Sequence, residues 1–486
     1  MNFQEIKNQK KIHFIGLGGI GMSALALILR EFNIEVQGSD LTENYLTQKL
    51  RDKGIRYFVG HKAENVSSEI SLIIQTSIIK TNNPEILIAE ERGIPVITRA
   101  NLLAIVMNEY KGITIAGTHG KTSTTGMTSL VLEIAGLDPT VINGGVINYF
   151  GSNSKIGKGE YLIAESDESD ASFVTLPTLI GAVTNIEPEH LEFSGYGGSF
   201  EKQKACFEQY VNQIPENGMC ALCIDDLEVE KLYQKLKNSK KNLVTYSISG
   251  NVDSAADLPA DLPADLVAKK FKGDASGLSF DVLFKDGREI KNICMPAYGK
   301  HNASNALAAI AIGDFLKIDG EKIKKALASF SGVKRRFTKV GEYEGVSIID
   351  DYGHHPTEIV ATLKAARDLV GSGKIFCVFQ PHKYTRIRDV FREFCNAFTD
   401  ADYVLVSEIY SAGQAPIEGI SQDSVIDGIK KTGHKNVVKI PNNEPVAKEL
   451  ANILKDKIKA GDLILCIGAG TVTRWASELE TALKSS

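Results

Sequence analysis

The residues with the clearest chemical capacity lie between positions 112 and 125, in the segment GITIAGTHGKTSTT. Its apolar first half indicates a buried strand, Gly117 and Gly120 interrupt that strand, and a helix-forming run begins at Lys121. A strand, a glycine-rich turn and a helix N-terminus together bind phosphate, because backbone N–H groups and the helix dipole face the anion. The ammonium group of Lys121 suits the β- and γ-phosphates of a nucleotide, and the hydroxyl group of Thr122 suits Mg²⁺.

This segment departs from the longer phosphate-loop pattern G-x-x-x-x-G-K-[ST], because Ile115 stands where the first glycine would be. The shorter form G-T-H-G-K-T is present instead. The alternative is a glycine-rich turn with a solvated lysine, and the preceding strand and the hydroxyl residues at 122–125 argue against it. The sequence therefore predicts a nucleoside triphosphate site. Its residues are Gly117, Thr118, His119, Gly120, Lys121, Thr122 and Ser123.

Residues of types that bind metals follow two predicted strands that lie beyond the phosphate loop in the sequence. Glu165 follows the apolar run at 161–164, and His190 lies in a loop beyond the apolar run at 180–184. Loops beyond strand ends are where ligands gather in α/β sheets, and an acid there, beside a phosphate loop, suits Mg²⁺. The alternatives are a solvated acidic loop, since ESDESD at 165–170 is largely acidic, and a histidine that is ordinary polar surface.

A second glycine motif lies near the start of the chain. A predicted strand at 11–15 leads into GLGGIG at 16–21, an apolar helix at 22–29, a second strand at 34–37 and then Gly38-Ser39-Asp40. Glycines in this G-x-G-x-x-G context let the backbone approach a pyrophosphate, and the later acid can bind a ribose hydroxyl. The motif does not separate NAD from a UDP-sugar, since both carry a pyrophosphate.

A cationic rim is predicted in the last third of the chain. The apolar runs at 346–349 and 374–379 are followed by DDYGHHP at 350–356 and QPHKYTR at 380–386. Repeated apolar strands with polar carboxyl ends predict a parallel sheet covered by helices. The two arginines at 335–336 either belong to this rim or form a solvated basic turn.

Other segments have a structural interpretation. The sequence predicts a β-hairpin at 279–294, an exposed insertion at the DLPADLPAD repeat of 257–265, and a helix at 306–316. Asn302, just before that helix, is either an N-cap, which we favour, or an amide that reads a base. The pair at 220 and 223 forms C-x-x-C without a partner pair, which favours two strand cysteines over a metal site.

Size, charge and cysteine content exclude several classes of protein. A chain of 486 residues exceeds a single hydrophobic core and predicts two to four domains. The net charge of −5 gives no basic footprint for nucleic acid. Seven scattered cysteines indicate a reducing compartment. The uncharged run at 14–29 is interrupted by glycines and too short to cross a bilayer, so we expect a cytoplasmic protein without a membrane span.

A triphosphate loop, a pyrophosphate loop and a cationic rim together favour an ATP-driven joining reaction, in which ATP activates a carboxylate as an acyl phosphate and an amine attacks it. An NAD(P)-dependent oxidoreductase would leave the triphosphate loop and the rim unused. A non-catalytic phosphate-loop switch would need no amine.

Motifs along essentially the whole chain resemble those of the bacterial Mur ligases. The resemblance implies an α/β fold of three domains: an N-terminal Rossmann-like parallel sheet at 1–109 that binds the UDP-sugar, a central P-loop ATPase-like domain at 110–331, and a C-terminal Rossmann-like domain at 332–486 that binds the amino acid and completes the ATP site. The segments that carry it are GLGGIGMSALA at 16–26, SD at 39–40, GTHGKTST at 117–124, ESDESDASF at 165–173, TNIEPEHLE at 184–192, YGKHNASNALAA at 298–309, GVKRRF at 332–337, DDYGHHPTEI at 350–359 and FQPHKYTR at 379–386.

The resemblance also implies a reaction and the residues for it. The reaction joins L-alanine to the lactyl carboxylate of UDP-N-acetylmuramate, with ATP and Mg²⁺ (or Mn²⁺) as cofactors and a monomer or homodimer as the working form. The implied catalytic residues are Lys121, Glu165, His190, His354 and Arg386; the metal ligands are Thr122, Glu165 and His190; Asn302 and Arg336 join the phosphate loop in binding ATP; and the substrate contacts are Gly16, Gly18, Gly19, Ile20, Gly21, Ser39, Asp40, His61, Tyr352, His382, Lys383 and Arg386.

Four points stay open at this stage. Water is an equal rival to His354 as the group that takes the proton of the amine. Lys383 stands where the family usually has arginine. Lysine keeps the positive charge but lacks the planar guanidinium group. A relative in the family that attaches a tripeptide during murein recycling is the alternative to L-alanine addition. Sister enzymes carry a carbamylated lysine, and neither Lys202 nor Lys204 is assigned to that role.

Overall fold

The computed structural model describes residues 1–44, 46–76, 79–169, 171–191, 195–248, 264–274 and 276–485. Most of the predicted insertion at 257–265 lies outside the described residues. The chain forms two compact units, which are described separately. The first comprises Met1–Lys270, Phe280–Ile293 and Ser304–Phe330, and the second comprises Phe271–Ser279, Cys294–Ala303 and Ser331–Ser486.

The first sheet is a parallel five-stranded sheet in the order β3-β2-β1-β4-β5. Its central strand is fully buried, as expected for a parallel sheet with helices on both faces. The strands are β1 (Ile12–Ile15), β2 (Val36–Asp40), β3 (Arg56–Val59), β4 (Leu72–Gln75) and β5 (Val96–Thr98). The helices are α1 (Phe3–Lys7), α2 (Ile20–Glu31), α3 (Thr47–Asp52), α4 (Pro84–Glu91) and α5 (Arg99–Met107), with a 3₁₀ turn at Ala63–Asn65.

The second sheet has ten strands in the order β15-β14-β13-β12-β11-β10-β6-β9-β7-β8. β6, the strand before the phosphate loop, lies between β9 and β10 and is parallel to both. The strands are β6 (Lys111–Ala116), β7 (Thr140–Ile147), β8 (Ser152–Lys155), β9 (Tyr161–Glu165), β10 (Ile180–Val183), β11 (Met219–Cys223), β12 (Leu243–Ile248), β13 (Leu266–Asp274), β14 (Gly277–Phe284) and β15 (Glu289–Met295). The helices are α6 (Lys121–Ala135), α7 (Phe200–Gln213), α8 (Leu227–Leu236), α9 (Lys300–Phe315) and α10 (Gly320–Ala328), with 3₁₀ turns at Asn148–Phe150 and Ser172–Thr175.

The third sheet, in the second unit, has the order β16-β17-β21-β18-β19-β20. All its pairings are parallel except that of β16 with β17. The strands are β16 (Thr338–Tyr343), β17 (Val346–Asp351), β18 (Ile375–Phe379), β19 (Tyr403–Val406), β20 (Val437–Lys439) and β21 (Leu463–Ile467). The helices are α11 (Pro356–Val370), α12 (Tyr384–Asp389), α13 (Phe391–Asn396), α14 (Gln422–Lys431), α15 (Val446–Leu454) and α16 (Val472–Ser485).

The register of each sheet aligns the carboxyl ends of its strands. In the second sheet Ala116 pairs with Val183, and Ile115 pairs with Glu165. The phosphate loop, the acidic run and the loop of His190 therefore begin at one edge. In the third sheet Ile467 pairs with both Asp351 and Phe379, so the segments after β17, β18 and β21 share an edge in the same way.

A single hydrophobic core connects the first two sheets. Helices α2 and α5 bury their apolar side chains together with Ile142 of β7, Leu162 of β9 and Leu176. This shared core explains why both sheets belong to one compact unit. The predicted domain boundaries after residues 109 and 331 therefore remain predictions.

The α/β fold with three mainly parallel sheets is confirmed, and the structure corrects one local expectation. Helix α9 begins at Lys300, so Asn302 lies within its first turn and the N-cap interpretation is wrong. The second and third sheets also contain antiparallel pairs, β7 with β8 and β16 with β17, and of these four strands only β17 is predicted from the sequence. Cys220 and Cys223 lie in buried strand β11, as predicted. Among the described residues, no helix has the length and apolar character needed to cross a membrane.

Candidate active site

The phosphate loop adopts a backbone that only glycine accommodates easily at two positions. Gly117 has φ +131° and Gly120 has φ +85°, both in the left-handed region. A Cβ atom at 117 would collide with the side chain of Thr184, and one at 120 would lie 2.5 Å from Oδ1 of Asn305. Gly120 then caps α6 directly. The loop thus needs glycine at two left-handed positions and is closely packed, which keeps its backbone in one conformation.

The two residues that follow strand β10 hold this loop. Asn185 accepts a hydrogen bond from the backbone N–H of His119 at 2.8 Å, through its Oδ1, and one from the N–H of Thr118 at 3.1 Å, through its backbone oxygen. The hydroxyl group of Thr184 donates to the carbonyl oxygen of His119 at 2.6 Å. These contacts within the protein fix the turn, which is the preorganisation that phosphate binding needs.

Lys121 lies over the loop that precedes it. Its Nζ donates to the carbonyl oxygens of Gly117 (2.6 Å) and Thr118 (2.9 Å) and lies 2.8 Å from Oε2 of Glu168. Burial opposes the charge of Lys121, but Glu168 and Asp167 more than offset this effect and raise the pKa of the ammonium group. Burial raises the pKa of Glu168 to about 7, although Lys121 acts in the opposite direction. Lys121 therefore carries its charge throughout the neutral range.

The acids and the histidine beyond β9 and β10 form the candidate cation site. Ligand atoms of Glu168, Glu189 and His190 lie within 4.8 Å of one another. Glu165 accepts a hydrogen bond from the backbone N–H of Gly144 at 2.7 Å. Oxygen ligands with one imidazole suit a divalent cation beside a phosphate loop. The assignment of Thr122, Glu165 and His190 as metal ligands remains a prediction. Glu168 and Glu189 are further candidates for that role.

The N-terminal glycine loop is already bonded by polar side chains. The backbone N–H of Gly18 donates to Oδ2 of Asp40 at 2.9 Å, and Nδ2 of Asn44 donates to the carbonyl oxygen of Gly18 at 2.8 Å. The side chain of Arg99 runs along Gly21, at the start of α2, and its Nη2 lies 3.7 Å from Oδ2 of Asp167. A guanidinium group therefore lies between the N-terminus of α2 and the acidic run of the second sheet.

Ser39 and His61, which the resemblance assigns to the UDP-sugar, contact each other. Oγ of Ser39 lies 2.9 Å from Nδ1 of His61 and 2.6 Å from the carboxylate of Glu85. Ser39 and Glu85 are fully buried, whereas His61 is partly exposed. A bound ligand could therefore contact the side chain of His61 more readily than that of Ser39.

In the second unit, Tyr352 lies between two arginines. The guanidinium carbons of Arg335 and Arg336 lie 4.7 Å and 5.2 Å from the centre of its ring. The backbone N–H of His354 donates to Glu358 at 2.8 Å, and its Nδ1 lies 3.0 Å from the carbonyl oxygen of Tyr352. These contacts hold the segment after β17 in a defined conformation.

The segment after β18 brings a histidine against cations. His382 stacks on Tyr410 with ring centres 5.5 Å apart, and its Nδ1 lies 3.2 Å from Nη1 of Arg386. Burial, His354 and Arg386 lower the pKa of His382 to about 3. Lys383 has φ +67°, and its backbone N–H donates to the carbonyl oxygen of Tyr410 at 2.9 Å. His382 is therefore neutral and lies beside the guanidinium group of Arg386.

Asn302 lies in the first turn of α9. Its Nδ2 donates to the carbonyl oxygen of Tyr298 at 2.7 Å and lies 3.1 Å from Nε2 of His301. Burial and the charge of Arg336 lower the pKa of His301 to about 4. The predicted role of Asn302 in binding a base is not tested by these contacts.

Family models of three Mur ligase domains match consecutive parts of the chain. They are the "Mur ligase family, catalytic domain" at 11–111, the "Mur ligase middle domain" at 115–313 and the "Mur ligase, glutamate ligase domain" at 335–470. The chain belongs to the Mur ligase family.

Relatives of this Mur ligase match it over nearly its full length. UDP-N-acetylmuramate–L-alanine ligase of Bradyrhizobium diazoefficiens is 45% identical and covers 98% of each chain. The enzyme of that name from Rhodospirillum centenum is 43% identical over 97% of this chain and 94% of its own. The crystal structure of UDP-N-acetylmuramate-alanine ligase MurC from Thermotoga maritima matches with a TM-score of 0.81 and 28% identity, covering 98% of this chain and 99% of that one. A murein peptide ligase structure from Psychrobacter arcticus, 23% identical with a TM-score of 0.71 over 98% and 99% of the two chains, shares the fold.

Sequence reasoning missed several polar residues that the Mur ligase fold brings to these loops. Arg99 and Glu85 each begin a helix, and Asn185 and Asn305 lie in segments whose motifs drew attention to their neighbours. The segment Asn83-Pro84-Glu85 signals a helix start, and nothing in it indicates that its acid is buried. Only the packing of distant segments identifies these four residues.

Proposed function

We propose that this Mur ligase joins L-alanine to the lactyl carboxylate of UDP-N-acetylmuramate with hydrolysis of ATP to ADP and phosphate, as a step in peptidoglycan precursor synthesis. The observation that carries the proposal is the loop from Gly117 to Lys121, with its charged lysine and the acids beside it. The names of relatives at 45% and 43% identity support the choice of both substrates. Family membership favours neither an oxidoreductase nor a non-catalytic switch.

The first step must bring two anions together. A lactyl carboxylate oxygen attacks the γ-phosphorus of ATP, and the bond from that phosphorus to the β-phosphate oxygen breaks. ADP departs, and the lactyl group is now an acyl phosphate. Lys121 offsets the repulsion because its ammonium group is charged and can turn from its carbonyl partners to the phosphates. Thr122, Glu165 and His190 would hold Mg²⁺ or Mn²⁺, which supplies further neutralisation of the triphosphate when bound. Glu168 and Glu189 fit the same role.

The second step needs a neutral amine. The amine nitrogen of L-alanine attacks the acyl carbon, phosphate leaves, and the nitrogen loses a proton. We assign the uptake of this proton to His354, with water as the alternative. Arg386 and Lys383 bind the alanine carboxylate. Neutral His382 and Tyr352 lie around the methyl side chain of the alanine. Asn302 and Arg336 contact the adenine nucleotide.

Three finer assignments belong to the proposal. The UDP-sugar binds at Gly16, Gly18, Gly19, Ile20, Gly21 and Asp40, with residues 1–109 as the UDP-sugar domain. Residues 110–331 form the ATP domain, and residues 332–486 form the amino-acid domain. The protein works in the cytoplasm, where ATP and UDP-sugars are made.

A phosphate-release assay tests the reaction. We expect inorganic phosphate only when ATP, UDP-N-acetylmuramate and L-alanine are all present, with one phosphate for each alanine joined. Glycine, L-serine and the tripeptide of murein recycling serve as competing acceptors. Phosphate release without the UDP-sugar would contradict the proposal, and preference for the tripeptide would assign the chain to the recycling reaction.

A further inference from the structure

Glu85, in the first turn of α4, is a fully buried carboxylate that the proposed reaction does not use. Its Oε2 lies 2.6 Å from Oγ of Ser39 and 3.2 Å from Nδ1 of His61. Its Oε1 lies 2.6 Å from Nδ2 of Asn65 and 3.6 Å from Nε2 of His13. The carboxylate therefore connects side chains from β1, β2 and the segment after β3.

The carboxyl group of Glu85 is ionised. Burial opposes its charge, but the nearby imidazole of His13 and the hydrogen bonds from Ser39 and Asn65 more than offset this and lower the pKa of Glu85. Nε2 of Gln37 donates to the carbonyl oxygen of Asn65 at 2.7 Å and lies 3.2 Å from Nδ1 of His13. Nδ1 of His13 accordingly accepts, and its Nε2 carries the proton that faces Glu85. An ionised carboxylate can only accept hydrogen bonds.

The proton on Nδ1 of His61 follows from this charge. Ser39 has one hydroxyl proton, and the 2.6 Å contact assigns it to Glu85. The oxygen of Ser39 can then only accept from Nδ1 of His61, 2.9 Å away, so this nitrogen carries a proton. In a neutral imidazole the other nitrogen is an acceptor. Nε2 of His61 makes no hydrogen bond to any residue in the described ranges.

We propose that Glu85 is a positioning residue that fixes His61 in the Nδ1–H form and so presents Nε2 as a hydrogen-bond acceptor for the UDP-sugar. The ligand group that meets His61 is then a donor, either the imide N–H of uracil or a hydroxyl of ribose. The diphosphate offers only acceptors at neutral pH and does not match this nitrogen. The inference rests on the proposed function, which supplies the UDP-sugar as the ligand.

Nitrogen NMR of the full-length wild-type protein tests the proton positions directly. At about pH 8, where an ordinary histidine is neutral, we expect His61 to show a protonated Nδ1 and a bare Nε2. Saturation with UDP should shift the Nε2 resonance upfield, as a nitrogen does when it accepts a hydrogen bond. A protonated Nε2 in the free protein, or an Nε2 resonance that UDP does not move, would overturn the inference.

The substitution Glu85→Gln tests the positioning role. It keeps the size of the side chain but adds an amide that can donate to Ser39, which reverses the chain of hydrogen bonds. We expect the KM for UDP-N-acetylmuramate to rise about tenfold or more, with kcat and the KM for ATP within about twofold. Glu91→Gln, at the exposed end of the same helix, is the matched control and should change none of these values.

Binding of UDP, CDP, 2′-deoxy-UDP and 3′-deoxy-UDP identifies the donor. CDP lacks the imide N–H and the two deoxy analogues each lack one hydroxyl, so one of the three should bind wild type about tenfold more weakly than UDP, and this difference should disappear in Glu85→Gln. If none of the analogues is weakened, or the difference persists in the variant, the inference is wrong. Failure of wild type to bind UDP at all would refute the proposed function, whereas normal turnover with an unaffected variant would refute this inference alone. Should the variant not fold, the NMR result decides.

Discussion

The ammonium group of Lys121 has three oxygen partners. Two are carbonyl oxygens of the loop and the third belongs to Glu168. In the proposed mechanism, binding of a triphosphate exchanges these interactions for stronger ones with charged oxygens. Because the lysine is buried and paired within the protein, we expect it to act mainly on the charge that develops in the reaction.

Replacement of Lys121 should accordingly affect catalysis more than folding. We expect Lys121→Ala to lower kcat about 10²–10³-fold in the phosphate-release assay, while the Kd for UDP stays within about twofold. Lys111→Ala, at the start of the strand that precedes the loop, is the control, because Lys111 pairs with Glu160 at the surface. Retention of near wild-type turnover by Lys121→Ala would refute the assigned mechanism.

His382 gives the second unit a pH-dependent stability. Burial, His354 and Arg386 hold its pKa at about 3, below the ordinary value of 6.5. The folded state favours the neutral imidazole, so this stability is present above about pH 6.5 and is lost as the pH falls toward 3. In His382→Gln the free energy of unfolding, relative to wild type, should rise by about 1–2 kcal/mol between about pH 8 and pH 5. Urea denaturation at both pH values measures it, and a difference that does not change with pH would contradict the assigned cause.

Sequence patterns identify residues whose roles are local, and they fail where a role depends on distant packing. Lys121 is recognisable because a lysine after a glycine turn and before a helix has one common use. Glu85 and Arg99 occupy helix starts, where charged residues are common for ordinary reasons. Their distinguishing features are the full burial of Glu85 and the closeness of Arg99 to Asp167, neither of which any spacing encodes.

At the scale of elements, helix α6 offers a comparison between its two ends. Gly117, in the loop before it, and Gly136, at its C-terminal cap, both have positive φ. A Cβ atom at 117 would collide with Thr184, whereas one at 136 would meet nothing within 4 Å. The two glycines therefore share a left-handed backbone, which would strain any other residue, and differ in packing.

This difference predicts unequal effects of alanine. Gly136→Ala should cost about 1 kcal/mol of stability with unchanged kcat, since only the left-handed backbone penalises it. Gly117→Ala should also displace the loop from β10 and raise the KM for ATP about tenfold or more. Thermal unfolding and steady-state kinetics of the two variants measure this. Equal kinetics for both would show that the close packing at 117 has no functional role.

Element boundaries were predictable where the apolar run and the hydrogen-bonded strand coincide. Strand β1, Ile12–Ile15, matches the strand predicted at 11–15 to within one residue. Strand β2 extends through Asp40, beyond its apolar run, because Ser39 and Asp40 pair with Phe58 and Val59 of β3. Polar residues at the end of a parallel strand thus keep strand pairing while their side chains take part in the site.

At the scale of the whole molecule, the sequence does not indicate that the first two sheets share one hydrophobic core. Each sheet has its own glycine loop and its own strand–helix alternation, which favours separate domains. The packing of α2 and α5 against β7 and β9 joins them through one core. The hydrophobic periodicity of a helix indicates that one of its faces is buried, but it does not indicate which sheet that face contacts.

The residues assigned to the UDP-sugar therefore all lie in the first unit, and this predicts where UDP protects the backbone. At a UDP concentration of about 100 Kd, binding should add about 2.7 kcal/mol of stability. In hydrogen exchange we expect slower exchange at 16–21 and 39–40 and around His61, with no change at 352–386 of the second unit. ADP is the matched ligand and should protect 117–122 instead. Equal protection of both units by UDP, or none at 16–21, would contradict the assignment of the UDP-sugar to the N-terminal loop.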